Sequence, residues 1–586
     1  MLKAKDFDLP AVKKEISGFL LGIKSENENN TEAFIEAIKY CKENDINRLT
    51  LIPGIYHFTV TDTIELNNLT DFEIYAKDVR FVYYKEEIAP HEFFRFFRIT
   101  NCLRFKITGL KIDWNWEKAR LASLVKVINK SRTFVDLEFM ENGEISDNLR
   151  FVCTNQVNDK TFTPGDEDGR EYGAQAVLGE TLKKRRKLSK KVYRCYTNLK
   201  NDNDKHFKIG TYHLLRHFTH NGGVFTIIDC AHIIFDDVTI YSAMGMGIIV
   251  AGHTHHLYCK KFKITLPDFE KRYITCTADG IHYSQSNGYS LFEDCDLGYQ
   301  GDDCLNIHDS LRYGTKVSER SINFGPDKFV YCVPGDEIEL RNKDLSPTGF
   351  TAKVTDGAFN ENDDYIAVVD KDIPDYEGKR VYFNSEFDSS YYVIRNCYFH
   401  ETRARGILAQ ASHGIIENCK FYAIQGAAIQ IETGAGDQWA EGKGVDDLII
   451  RNNEIINCDV NDWDKSTLYM STYMAEGIPI KNTRYPNPTT TVGDSGADYR
   501  TPVPMFKNIV IENNVFREYP RRAMILTSFE NLTLKNNTFI NDISRKYNNP
   551  ERGSIQVSYG KNLVDENNTF KPSPYMLMPE FDYLED

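Results

Sequence analysis

One short recurrence constrains this chain more than any other feature. An apolar run is followed by Asn-Asn, Asn-Cys or Asp-Cys, then one residue and an aromatic or aliphatic: "FEDCDL", "IRNCYF", "IENCKF", "IRNNEI", "IENNVF", "LKNNTF", "DENNTF". Asn418 follows Asn396 by 22 residues, and Asn536 follows Asn513 by 23. A period of roughly 20 to 30 residues with one turn signal per repeat marks a solenoid, and the strand-like runs make it a β-helix. The same apolar positions travel with each Asn, which unrelated hairpin turns do not explain. Asparagines at equivalent corners can then bond from coil to coil as an amide ladder.

Ahead of the repeats, "NTEAFIEAIKYCKENDIN" carries apolar residues at helical spacing behind an Asn/Thr cap, and "RLTLIPGIYHF" follows as strand, turn and strand. This opening resembles that of right-handed parallel β-helix proteins, whose first helix covers the open end of the coil. The expected fold is all-β: a right-handed parallel β-helix solenoid with an N-terminal capping helix and small β-barrel-like subdomains inserted in it. Two stretches break the period and read as those insertions. The expected organisation is a cap and first coils over 1–116, an inserted β subdomain over 117–219, coils carrying an aspartate cluster over 220–310, a second β insertion over 311–383, and C-terminal coils and tail over 384–586. Two smaller interruptions are the glycine-rich "GAGDQWAEGKG" and a Pro/Asn/Thr-rich stretch, 467–503, expected to form a long ordered loop.

Length alone, 586 residues, exceeds one compact domain, but repeats touch only their neighbours and escape that limit. A net charge of -14 opposes nucleic acid as the main partner, since that binding needs cationic surface. The basic run "KKRRKLSKKVYR" is expected to be a solvated, mobile loop. No window approaches the roughly 18 apolar residues of a membrane span, and "GFLLGI" is too short and too late for a signal peptide. Thirteen cysteines, odd in number and scattered singly at strand ends, point to reduced, packed thiols and a cytoplasmic setting.

The chemistry concentrates in "GYQGDDCLNIHDS". Asp302 and Asp303 follow Asp279 by 23 and 24 residues, one coil. Residues one coil apart stack at about 4.8 Å, so three carboxylates are expected on one face, with those of Asp279 and Asp303 within about 10 Å. Mutual repulsion then favours one protonated acid and one ionised base, the pair that glycosidic cleavage needs. The plainer alternative is a turn or a calcium ligand set.

Further candidates surround this cluster. Arg403 and Arg405, in "HETRARGILAQ", can bind substrate oxygens or hold an Asp charged, and Gly406 would let something approach the backbone. Glu432, Asp437, Trp439 and Glu441 suit a sugar-binding rim, as do Trp114 and Trp116 with less weight. His282, His308 and Asn306 can donate within the cleft. "AGHTHH" lacks the further ligands that zinc requires, and no metal site is expected. Nucleophile elbows and phosphate-binding glycine loops are absent from the sequence.

Taken together, "FTIIDCAHIIFDDVTIYSAMGMG", "TADGIH", "GDDCLNIHDS", "TRARGILAQ" and "QWAEG" resemble glycoside hydrolase family 110, the exo-acting α-1,3-galactosidases, within the pectate-lyase and polygalacturonase-like β-helix superfamily. The resemblance covers roughly residues 222–459 and, more loosely, the N-terminal cap. It implies an inverting hydrolase of terminal α-linked galactose that uses no cofactor and has catalytic aspartates at Asp279, Asp302 and Asp303. The resemblance does not fix which is acid and which base; the acid is expected at Asp303 or Asp279, with Asp302 helping to hold the water. "IHDS" and "IETGAGDQW" depart from the family pattern and bear on which sugar is accepted. Three readings stay open beside it. A polygalacturonase shares "GDDC", but its Asn-Thr-Asp, Gly-His-Gly and Arg-Ile-Lys motifs are not matched here; a polysaccharide lyase would use calcium and Arg405; a glycan-binding stalk would need no carboxylates. The expected partner is an oligosaccharide, with neither nucleic acid nor membrane, and a homo-oligomer is compatible with the sequence.

Overall fold

The computed structural model describes residues 2–89, 92–141, 145–164, 176–177, 185–197, 206–309, 311–326, 332–435, 440–460, 466–474, 478–479, 499–501, 503–520, 522–541, 554–571 and 581–583. In each Asn-Asn, Asn-Cys or Asp-Cys pair the first residue turns the corner in the left-handed region: φ is 56° at Asp294, 55° at Asn396 and Asn418, 57° at Asn513 and 54° at Asn536. Asn and Asp tolerate that conformation best among residues with a side chain. The second residue then points inward.

In the later coils that inward residue is Asn, and the amide ladder is present. Asn453, Asn514 and Asn537 each donate Nδ2 to the Oδ1 of the next asparagine, ending at Asn568, at 3.0–3.1 Å. Their remaining amide hydrogens go to backbone carbonyls such as Ile416 and Ile450. In earlier coils the same place holds Cys295, Cys397 and Cys419, whose thiols donate weakly to carbonyls one coil away. All thirteen cysteines are buried and none forms a disulfide.

Strands pair in parallel from coil to coil. Ile281, Leu305, Ile407, Ile429, Leu468, Met524 and Ile555 stand in one register, each pointing into the apolar interior. One position later the outward register runs His282, Asn306, Leu408, Gln430, Tyr469, Ile525 and Gln556. Period-2 alternation thus separates the core from an outward row that is polar at His282, Asn306, Gln430 and Gln556 and apolar at Leu408, Tyr469 and Ile525. The helix Thr31–Glu43 closes the N-terminal end, with Phe34 packed edge-on against Phe58 and Phe81. Asn30 precedes it without capping it by side chain; its amide ties Lys24 and His57 instead.

Two antiparallel units interrupt the coils. Strands from Ala122–Lys130 to Tyr212–Arg216 form a seven-stranded sheet with its own core, and those from Leu311–Ser318 to Lys379–Asn384 close into a six-stranded barrel. After the barrel the solenoid resumes in register: Ser290–Glu293 pairs with Tyr392–Arg395.

Several sequence expectations need correcting. Among its described residues the basic run is a hairpin and not a mobile loop: Arg185–Lys187 and Val192–Tyr196 are antiparallel strands at the sheet edge, and Arg194 forks onto Asp136 at 2.8 Å. Trp114 is a core residue, 0% exposed, wedged against Tyr83; half-buried Trp116 donates its indole to Ser242. Leu468–Met474, the start of the expected long loop, is a strand of the solenoid, and most of the remainder lies outside the described residues. Among the described residues no helix is long and apolar enough to cross a membrane.

Candidate functional site

Three turns, each leading into an outward-facing strand, lie one above another. Asp279 precedes Ile281–Ser284, Asp302 and Asp303 precede Leu305–His308, and Arg403 and Arg405 precede Ile407–Gln410. Backbone bonds lock the stack: Gly280 N–H donates to Asp303 O at 2.8 Å, and Cys304 N–H to Arg405 O at 2.9 Å. The one-coil offset in the sequence therefore becomes spatial contact.

The adjacent aspartates engage different arginines. Asp302 accepts from Arg403 Nη1 at 3.1 Å and faces His220 Nε2 at 3.5 Å; one of its oxygens, an Asp279 carboxylate oxygen and a His220 ring nitrogen all lie within 4.8 Å of one another. Asp303 accepts from the Arg405 backbone N–H at 2.8 Å, with the Arg405 guanidinium 3.6 Å away. Burial disfavours charge on both. At Asp302 the opposing field of Arg403, then His220, Arg216 and Arg405, outweighs burial and holds the carboxyl below its ordinary range. At Asp303 burial, reinforced by Asp302 and Asp279, outweighs Arg405, and the carboxyl is driven well above it. The surroundings therefore favour charge on Asp302 and a retained proton on Asp303.

A polar wall continues the site. His282 Nδ1 meets Asp279 Oδ2 at 2.8 Å, and His282 Nε2 lies 3.1 Å from His308 Nε2. His308 Nδ1 donates to Asp309 O at 2.7 Å, and its Nε2 is 3.8 Å from Glu441, whose other oxygen accepts from Asn306 at 3.4 Å. Burial opposes the His282 charge, but Asp279 outweighs it and raises that imidazole; burial lowers His308. Glu441, on the hairpin strand Ala440–Glu441, resists burial through His308 and His282 and is lowered. Glu432 joins through Gln430, which accepts from Arg405 Nε at 3.0 Å and donates to Glu432. Asp437 and Trp439 lie outside the described residues.

The role expected for Gly406 changes. A Cβ there would come within 2.5 Å of the Ala428 carbonyl, so the close approach is by the next coil and not by a ligand. Gly301 does serve the site: a Cβ would collide with Arg216 Nη1, which donates to Gly301 O at 2.9 Å and Thr277 O at 2.6 Å. Arg216 and His220 were missed by sequence reasoning because "LLRHFTH" carries no motif and lies at the end of a long insertion. Gln430 and buried Gln410 were missed too, although outward alternation in "IQIE" and "ILAQ" places both on the outward face.

Residues 352–495 match a family model described as right handed beta helix region. Alpha-1,3-galactosidase A of Shewanella woodyi is 22% identical over 96% of this chain and 91% of its own length. Alpha-1,3-galactosidase B of Bacteroides thetaiotaomicron is 21% identical over 95% and 91%. Among solved structures, a polygalacturonase from Erwinia carotovora superposes with a TM-score of 0.39 at 8% identity, covering 99% of this chain and 98% of its own. With its coils, ladder and stacked aspartates, the chain is a right-handed parallel β-helix protein similar along nearly its whole length to alpha-1,3-galactosidases.

Proposed function

We propose that this protein is a glycoside hydrolase that removes a terminal α-linked galactose, α-1,3 in the first instance, from oligosaccharides, with inversion at the anomeric carbon. What carries the reading is the split between neighbours: of three clustered carboxyls, Asp303 sits where burial, Asp302 and Asp279 favour its proton, and Asp302 where Arg403 and His220 favour its charge. Asp303 is the acid that protonates the departing glycosidic oxygen. The carboxylates of Asp279 and Asp302, within 4.8 Å of each other, are close enough for one water to bond both, each at about 2.7 Å. Asp302 takes a proton from that water as its oxygen attacks the anomeric carbon. Arg403 and His220 hold Asp302 in place, and Glu441, Asn306, Gln410 and Glu432 offer groups for sugar hydroxyls. The assigned substrate follows the names of the relatives; the acid and base roles follow the electrostatics.

Proton NMR of the chain with α-galactosyl oligosaccharides, wild type beside Asp302→Asn, tests this. The expected result is β-galactose appearing first, from the α-1,3 substrate, and lost in the variant. Release of α-galactose first would overturn the water-mediated step, and silence on every α-galactoside would overturn the substrate.

A further inference from the structure

The two histidines beside Asp279 are arranged in a way that sugar binding does not require. Each commits Nδ1 to an anchor: His282 to the Asp279 carboxylate at 2.8 Å, His308 to the Asp309 carbonyl at 2.7 Å. That leaves the two Nε2 atoms aimed at one another 3.1 Å apart, with Glu441 Oε1 3.8 Å from the His308 nitrogen. Donor atoms of the three residues lie within 4.8 Å of one another. Bonds of about 2.0–2.2 Å in a tetrahedron put neighbouring donors roughly 3.3–3.6 Å apart, so small movements of these side chains suffice to surround an ion. A carboxylate or carbonyl holding the far nitrogen is how metal-binding imidazoles are oriented, and both types of anchor are present. Two further observations point to a ligand. Asn306, 4% exposed, holds Glu441 with its amide while its own buried Oδ1 has no hydrogen-bond partner. Glu441 and His282 remain partly open to solvent, which gives an ion a way in.

We propose that His282 Nε2, His308 Nε2 and Glu441 form a binding site for a divalent transition metal of the Zn2+ class, and that the bound ion inhibits the enzyme in competition with substrate. Imidazole and carboxylate donors suit Zn2+ better than calcium or magnesium, which prefer oxygen shells. The ion replaces a proton shared by the two nitrogens, and that proton leaves to solvent. Its fourth position faces the Asn306 side, where a water can complete the shell. Inhibition follows because the ion takes Glu441 and fills the space beside Asp279 that the sugar would occupy. Only that inhibitory clause rests on the proposed function; binding of the ion does not.

The test is titration of the metal-free chain with Zn2+ against a chromophoric chelator, with thermal unfolding of each variant as the fold check. His308→Ala, Glu441→Gln and the control His253→Ala, at an exposed position, are compared with wild type. One ion per chain is expected, with affinity falling more than about tenfold in His308→Ala and in Glu441→Gln and unchanged in His253→Ala. Glu441→Gln keeps size and shape, so the result stands if His308→Ala fails to fold. Equal affinities in wild type, His308→Ala and Glu441→Gln, or no binding by folded wild type, overturn the site. Binding lost in the variants but no hydrolysis of any α-galactoside would keep the metal site and discard the proposed function. Hydrolysis whose KM is unmoved by a saturating ion would discard the competitive clause.

Discussion

Asp302 and Asp303 differ by one position in the chain and by the direction in which their surroundings push their protons. The turn ahead of Leu305 sends one carboxyl to Arg403 and His220, and the other to the backbone of Arg405 beside two negative neighbours. The sign of each limb of the pH profile follows. Asp303 must be protonated to act, so activity falls as pH rises through its elevated value; Asp302 must be charged, so activity falls again only below the ordinary carboxylate range. A bell-shaped profile of kcat/KM is expected, and in Asp303→Asn, kcat falls by about 10²–10⁴ and the alkaline limb disappears. The three aspartates were legible in the sequence because a coil period turns a 23-residue offset into adjacency. Their division of labour was not, since it depends on how Arg403 and Arg405 in the next coil's turn, and His220 and Arg216 at the end of an insertion, approach each carboxyl.

At the scale of the element, the corner ladder does what single strands cannot. Asn514 accepts from the N–H and Nδ2 of Asn453 and donates to Asn537 and to the Ile450 carbonyl, all within the buried interior. Asn514→Ala leaves those partners unsatisfied and opens a void, so a loss of about 2–4 kcal/mol is expected in denaturant unfolding. The Asn-Asn spelling of this corner was readable from the sequence. Cys at equivalent corners was readable as part of the motif, but its weak Sγ bonds to carbonyls come only with the coil-to-coil contact.

The whole molecule combines a solenoid with two antiparallel units, and one of these reaches the site. Arg216 ends a strand of the seven-stranded sheet and its guanidinium binds the turn carbonyls of Thr277 and Gly301, beside the aspartates. That sheet also buries His213 and His217, whose imidazoles burial pushes down to about 3 from an ordinary 6.5. The folded sheet keeps them neutral, whereas the unfolded chain takes up protons below pH 6.5. Stability from this source is present above that pH and is lost as pH falls towards 3. Hydrogen exchange at pH 4 and pH 7, corrected for intrinsic rates, is expected to show this sheet losing more than about 1 kcal/mol of protection relative to the coils.

Sequence alone determined the coil period, the Asn and Asp corners, the all-β class and the one-coil spacing of the three aspartates, because each is a local spelling repeated at fixed spacing. Tertiary structure decided which aspartate keeps its proton, how Arg216 and His220 join the site, and that His282, His308 and Glu441 converge. Those depend on side chains more than a coil apart in sequence, brought together by stacking and by insertions whose ends no motif marks. Electrostatic work in a buried site is set by such distances, and the order of residues along the chain does not contain them.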